Sequence, residues 1–268
     1  MTNYLYGANV QANGIRQHYL RYGGQGLPLI LIPGITSPAV TWGFVAERLG
    51  QHFDVYVLDV RGRGLSEASP TLDYSLDAQA ADIAALADVL GLAHYAVLGH
   101  SMGGRIAIRM ARRFKPQGLE RLVIVDPPVS GPGRRPYPSG LPWYVDSTRQ
   151  SLRGMSAEDM RAFCPTWTEE QLRLRAEWLH TCDERAIVAS YNSFHEDDIH
   201  QDLPHISLPT LLMVAGRGNV LLPEDIKEIQ GLMPDVTVAR VENAGHMIPW
   251  DDEEGFYQAF GYFLGAPV

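Results

Sequence analysis

The chain of 268 residues holds two cysteines, Cys164 and Cys182, and two lysines, Lys115 and Lys227. The cysteines stand far apart, with no CxxC spacing and no histidine partner, so neither a disulfide framework nor a zinc site is expected. They read as small apolar fillers in a reducing compartment. No uninterrupted apolar run approaches the roughly 18 residues of a membrane helix. The opening "MTNYLYGANV" has neither a basic segment nor an apolar one, so no signal peptide is read there, and the expected location is the cytoplasm. No repeat or low-complexity tract appears.

A net charge of −9 excludes broad binding to nucleic acid or to a membrane surface, which require basic patches. A small anionic substrate stays open, given a local cationic pocket. Arginine carries nearly all the positive charge, and arginine suits bidentate carboxylate recognition. No glycine-rich nucleotide loop follows a strand and no metal-ligand cluster is visible, so no cofactor and no metal are expected. The implied partner is a small-molecule substrate; the sequence sets no oligomeric state. Hydrophobic residues at 46% and charged residues at 20% are ordinary for a globular chain of this length.

What is present is an alternation. "YLYGANVQANGIRQHYLRYG" holds two β-like runs around Asn13-Gly14, a type I′ hairpin signal. "PLILIP", "FDVYVLDV", "HYAVLGHS", "RLVIVDPP" and "PTLLMVAG" are short apolar runs of the kind buried on both faces of a parallel sheet. Helix-like segments over 38–49, 76–90 and 102–114 separate them, the second ending at Gly91 as a C-cap. The pattern predicts an α/β fold with a mostly parallel sheet, antiparallel at its N-terminal edge.

The alternation stops over 129–208. "VSGPGRRPYPSGLPWY" reads as a Pro/Gly-rich linker. "SAEDMRAFC", "TEEQLRLRAEWLHTC" and "DERAIVASYNSF" then read as helices, each with a Ser, Thr or Asp cap and acidic residues in its first turn. The expected organisation is a core over 1–128, an inserted helical cap over 129–208, and the rest of the core over 209–268. Such a cap would lie at the carboxyl edge of the sheet, where open α/β folds bind ligands. A last strand, a loop and a C-terminal helix should close the chain.

The strongest chemical signal is "VLGHSMGG". Gly99-His100-Ser101-Met102-Gly103 is G-x-S-x-G between a strand and a helix, the context of a nucleophile elbow. A chance glycine-rich turn is the weaker reading, given those flanks. Glycine at 99 and 103 gives room for a sharp turn that lifts Ser101 Oγ above the sheet. The Met102 N–H then stands at a helix N-terminus as an oxyanion donor, and the Ile35 N–H in the loop after "PLILIP" is the second candidate. His246 in "NAGHMIPW" follows the last strand and is the candidate base. A lone histidine is usually structural; its place at the end of the chain, after the serine, favours catalysis. His100 is expected to point into the sheet.

These motifs, with "DVRGRGLSE" and "AGHMIPWDD", resemble the α/β-hydrolase superfamily over nearly the whole chain outside the cap. Serine at 101 separates the chain from the haloalkane dehalogenases and epoxide hydrolases, which resemble it but carry Asp there. The resemblance implies an eight-stranded sheet and a Ser-acid-His triad. The acid usually follows the strand at "PTLLMVA", where this chain has Arg217, Gly218 and Asn219. Asn219 is neutral and stabilises an imidazolium less well than a carboxylate. Glu224 and Asp225 read as first-turn helix residues. Asp126, ending "RLVIVD", is the favoured acid, since some members of the superfamily carry theirs there; Asp225 and Asn219 stay open.

"PGITSPAVTWGF" and "VDPPVSGPGRRPYP" further resemble the amidohydrolases of bacterial nicotinate and vitamin B6 breakdown. Those enzymes cleave an N-acyl group from a small unsaturated carboxylate-bearing skeleton. The resemblance implies a serine amidohydrolase of the deformylase kind. An esterase, enol-lactonase or carbon–carbon hydrolase shares the same triad, and a non-catalytic ligand receptor is the reading outside enzymes. Arg105, Tyr137, Trp143 and Tyr191 are the candidate substrate contacts. Arg61, Arg63, Arg134, Arg135 and Arg153 are weaker candidates for a carboxylate, and Tyr144 and Trp167 are further aromatic candidates for the pocket lining.

Overall fold

The computed structural model describes residues 2–268. Strands β1 (Tyr4–Ala12) and β2 (Ile15–Tyr22) form the hairpin foreseen at Asn13-Gly14. Both turn residues have positive φ, 51° and 74°, as a type I′ turn requires. Strands β3 (Pro28–Ile32), β4 (Asp54–Asp59), β5 (Tyr95–His100), β6 (Leu119–Val125), β7 (Thr210–Ala215) and β8 (Thr237–Val241) complete one eight-stranded sheet, ordered β1-β2-β4-β3-β5-β6-β7-β8. β2 meets β4 antiparallel, and every pair from β4 to β8 is parallel. The continuous apolar runs behave as read: β4, β5 and β7 are buried along their whole length, because helices cover both faces.

Helices α1 (Gly43–Leu49), α2 (Leu76–Val89) and α3 (Met102–Phe114) follow strands β3, β4 and β5. Ser75 caps α2 by accepting from the Ala78 N–H. Gly91, at φ 66°, ends it: the Leu92 N–H reaches back to Ala87 O, 3.0 Å away.

Between β6 and β7 the chain runs through α4 (Leu141–Ser151), α5 (Ala157–Arg161), α6 (Glu169–Trp178) and α7 (Glu184–Glu196). The caps lie where the sequence puts them: Ser156 and Thr168 form capping boxes, and Asp183 accepts from the Arg185 N–H. α4 corrects the linker reading, which ran to Tyr144. Proline and glycine stop at Pro142, and a proline in the first turn of a helix removes only an N–H that has no partner there. Helix α8 (Pro223–Leu232) precedes β8. The expected C-terminal helix is two short pieces, α9 (Ile248–Asp251) and α10 (Glu253–Gln258). Asp252, at φ −150° and ψ 80°, breaks between them and caps the second through the Gly255 N–H.

Because β3 to β8 run parallel, the loops that follow them leave one edge of the sheet. Residues 34–36, Ser101, Asp126 and His246 all lie at that edge.

Candidate active site

Ser101 sits between β5 and α3 with φ 54° and ψ −118°. An L-residue avoids that region, so the neighbours must hold it there. The Ser101 N–H donates to Val125 O at 2.8 Å, and Ser101 O accepts from the Gly104 N–H at 2.9 Å. The two elbow glycines leave no room for a side chain. A Cβ on Gly99 would stand 2.2 Å from Gly103 O, and one on Gly103 would stand 2.0 Å from Ile32 O. The G-x-S-x-G spacing is thus a packing requirement at this turn.

Ser101 Oγ lies 2.9 Å from His246 Nε2. On the other side of the ring, His246 Nδ1 lies 2.7 Å from Asp126 Oδ2. Asp126 is buried and has φ 45°, so both the serine and this acid occupy strained backbone. Its N–H is tied to Met213 O at 2.9 Å, which sets the carboxylate toward the histidine loop. Asn219 is exposed and offers its backbone carbonyl to Arg135. Asp225 accepts from the Leu222 N–H and pairs with Arg135, and Glu224 faces solvent. The structure therefore brings Ser101, His246 and Asp126 into one line and leaves the other acids outside it. Such a line lets the serine hydroxyl lose its proton to Nε2 while the carboxylate steadies the imidazolium.

His100 corrects an expectation. Its ring does not enter the sheet but packs 5.0 Å from that of His246 and 5.3 Å from that of Trp42. His100 Nε2 is 2.9 Å from His246 O and supports the backbone of the candidate base. Burial pushes its pKa down to about 3, so the ring is neutral and Nε2–H is the donor.

The N–H groups of Ile35 and Met102 donate to no backbone carbonyl among the described residues. Met102 follows Ser101 in the chain and Ile35 lines the same cavity as Ser101, the placement expected of a candidate oxyanion pair. In front of them lies a cavity of about 200 Å³. Ser101, His246, Tyr137, Tyr144, Trp143 and Trp167 are among the residues that line it. Tyr137 Oη stands 3.5 Å from His246 Nε2 and 3.1 Å from Tyr144 Oη. Burial raises the pKa of both phenols, so both stay protonated as hydrogen-bond donors.

Two predicted contacts do not reach the cavity. Arg105 is 0% exposed and spends its guanidinium on the backbone carbonyls of Pro128, Ser130, Ser193 and Asp197. It ties the loop after β6 to the end of α7, a structural task. Tyr191 stands behind Tyr137, with ring centroids 6.4 Å apart, and donates to Ser139 O. Of the weaker arginine candidates, Arg61 pairs with Asp82, Arg63 spends its donors on five protein groups, and Arg134 and Arg135 pair with acids. Arg153 is exposed. The arginine that lines the cavity is Arg175, which sequence reasoning missed. A signal existed: Leu172, Arg175, Ala176 and Leu179 are spaced as one helical stripe, and all four are buried. An arginine on an apolar stripe is a buried charge in need of a reason.

Comparison with known proteins identifies the family. A family model described as alpha/beta hydrolase fold matches residues 28–253. The chain is 68% identical over 268 residues to an N-formylmaleamate deformylase of Pseudomonas putida KT2440, covering all of both chains. A solved structure of a serine-to-alanine variant of the N-formylmaleamic acid deformylase Nfo from Pseudomonas putida S16 superposes with a TM-score of 0.92 at 59% identity, covering 95% of this chain and 99% of that one. The structure of E-2-(acetamidomethylene)succinate hydrolase, at 21% identity, shares the fold with a TM-score of 0.80 over 98% of this chain and all of that one. The chain belongs to the α/β-hydrolase family.

Proposed function

We propose that the chain is a serine hydrolase that cleaves the formyl amide of N-formylmaleamate to maleamate and formate, a step of bacterial nicotinate breakdown. One observation carries this reading: an assembled Ser101–His246–Asp126 line in a chain 68% identical, end to end, to a deformylase acting on that compound.

The chemistry follows from the geometry. The formyl carbon is small and electrophilic, and the departing nitrogen is that of an amide, which leaves more readily than an amine. Ser101 Oγ attacks this carbon while His246 Nε2 takes its proton, and Asp126 steadies the imidazolium through Nδ1–H. The N–H groups of Ile35 and Met102 receive the oxyanion. The imidazolium returns its proton to the maleamate nitrogen as the carbon–nitrogen bond breaks, leaving formyl-Ser101. Water, deprotonated by His246, attacks this ester; collapse of the second tetrahedral intermediate releases formate and restores the serine hydroxyl. Ser101 is 3% exposed and Tyr137 6%, so the reacting groups lie in a water-poor space where each electrostatic contact is stronger.

Residues 129–208 act in this reading as a cap over the site, supported by Tyr137, Trp143, Tyr144 and Trp167 on the cavity wall. The cytoplasm is the compartment that suits the two unpaired buried thiols. The test is formate release by the purified protein given N-formylmaleamate, beside a p-nitrophenyl ester. Formate release abolished by Ser101→Ala supports the reading. Ester cleavage without formate moves the function to the esterase and lactonase class.

A further inference from the structure

Four arginines are buried, and three of them are held by protein groups outside the cavity lining. Arg61 pairs with Asp82. Arg63 places Nε, Nη1 and Nη2 on Ile35 O, Arg61 O, Ala186 O and Ser190 Oγ. Arg105 holds four backbone carbonyls through Nη1 and Nη2, away from the cavity, and its Nε also has no partner among the described residues. Arg175 is 3% exposed, lines the cavity, and makes two hydrogen bonds. Its Nη1 donates to Thr36 O and its Nη2 to Thr36 Oγ1, both at 3.0 Å. Its Nε is buried without a partner among the described residues.

The groups around this guanidinium are neutral. Thr36 supplies a carbonyl and a hydroxyl, and the Trp167 ring lies 5.6 Å from the guanidinium carbon. The Cys164 and Cys182 thiols and the Tyr144 phenol also stand near it, and burial raises the pKa of each, so none supplies an anion at neutral pH. Arg175 makes no ion pair among the described residues, in contrast to Arg61. A buried guanidinium without a counter-ion is costly, and an arginine fork matches a carboxylate through two parallel N–H bonds.

We infer that Arg175 is the anion-binding residue of this pocket, taking the carboxylate of the substrate through Nε–H and a terminal N–H. For the identity of that anion the inference rests on the deformylase reading. It also explains how the charged end is registered against the reacting end. Arg175 is hydrogen-bonded to Thr36, and the next residue back, Ile35, carries a candidate oxyanion N–H. A carboxylate on Arg175 and a carbonyl at Ile35 are thereby referred to the same loop. The substrate class that follows is a small N-acyl amide bearing a carboxylate; neutral amides lack the anchor.

The test compares formate release from N-formylmaleamate and from its methyl ester, in wild type, Arg175→Gln and Arg175→Lys, with circular dichroism to verify folding. Wild type should favour the acid in kcat/KM by about 30-fold or more, the scale of a charged hydrogen-bonded pair. The ratio should fall toward unity in Arg175→Gln, mainly through KM, and return in part in Arg175→Lys. An unchanged ratio in folded Arg175→Gln overturns the inference. If that variant does not fold, calorimetry on Ser101→Ala decides: preference for maleamate over its methyl ester supports the anion site, and equal affinity overturns it. A wild-type enzyme that releases no formate from either compound overturns the deformylase reading instead, and calorimetry of maleamate on Ser101→Ala and on Ser101→Ala/Arg175→Gln then decides on Arg175: weaker binding to the double variant supports the anion site, and equal binding overturns it.

Discussion

Asp126 Oδ2 lies 2.7 Å from His246 Nδ1, although the residues are 120 positions apart and belong to loops after different strands. β6 lies two strands from β8 in the sheet, with β7 between them, so the end of β6 and the loop after β8 meet across the end of β7. The turn after β7, which holds Asn219, faces solvent and leaves the histidine to Asp126.

Replacing Asp126 with Ala should therefore lower kcat by about 10³-fold or more, since the imidazole loses both its tautomer and its counter-charge. Asn219→Ala should stay within about twofold of wild type. Steady-state kinetics on the two variants settles the matter, and the reverse pattern would return the acid to the turn after β7.

Tyr137 Oη is 3.5 Å from His246 Nε2 and close to Ser101, where the leaving nitrogen and oxyanion pass. Tyr137→Phe removes this donor with little change of shape. We expect kcat to fall by about tenfold, the scale of one hydrogen bond made in the transition state, with KM nearly constant. A rise in KM alone would make the hydroxyl a ground-state contact.

Arg105→Met leaves the carbonyls of Pro128, Ser130, Ser193 and Asp197 buried without their donor. Stability should fall by roughly 3 kcal/mol or more, seen as a melting temperature lower by about 6–12 °C. KM of the folded variant should be unchanged, because the side chain does not touch the cavity. A selective rise in KM without loss of stability would contradict this placement.

His100 carries a pH signature. Its pKa is about 3 in the folded chain against an ordinary 6.5, so the unfolded chain binds the proton first as pH falls. Stability is complete above pH 6.5 and declines toward pH 3. Between pH 6.5 and 4.5 this group should remove about 2–3 kcal/mol. His100→Gln should flatten that part of a melting-temperature curve relative to wild type. Parallel curves would show that His100 does not titrate this way.

Much of the fold was legible because its causes are local. Asn13-Gly14 adopts the positive φ values that its turn requires, apolar runs become buried strands, and Ser156, Thr168 and Asp183 cap the helices they precede. Helix α4 was less visible, because its proline and aromatic-rich start resembles the linker before it. The elbow was legible for a similar reason: with 2.0 to 2.2 Å between a would-be Cβ and backbone oxygen, the turn admits only glycine at 99 and 103, and that leaves a written trace.

By itself the sequence determined the α/β alternation, the elbow serine and a histidine late enough in the chain to reach it. Tertiary structure alone decided which acid meets that histidine and which arginine enters the cavity. The choice between Asp126 and Asn219 depends on strand order, a long-range property with no local signature. Arg105 and Arg175 are both buried arginines on helices, each with an unpartnered Nε, yet one gives its terminal donors to four backbone carbonyls away from the cavity while the other lines the cavity and bonds only to Thr36. That difference arises from how the helices between β6 and β7 pack against the sheet edge, and hydrogen-bond satisfaction can be counted only once the partners are in place.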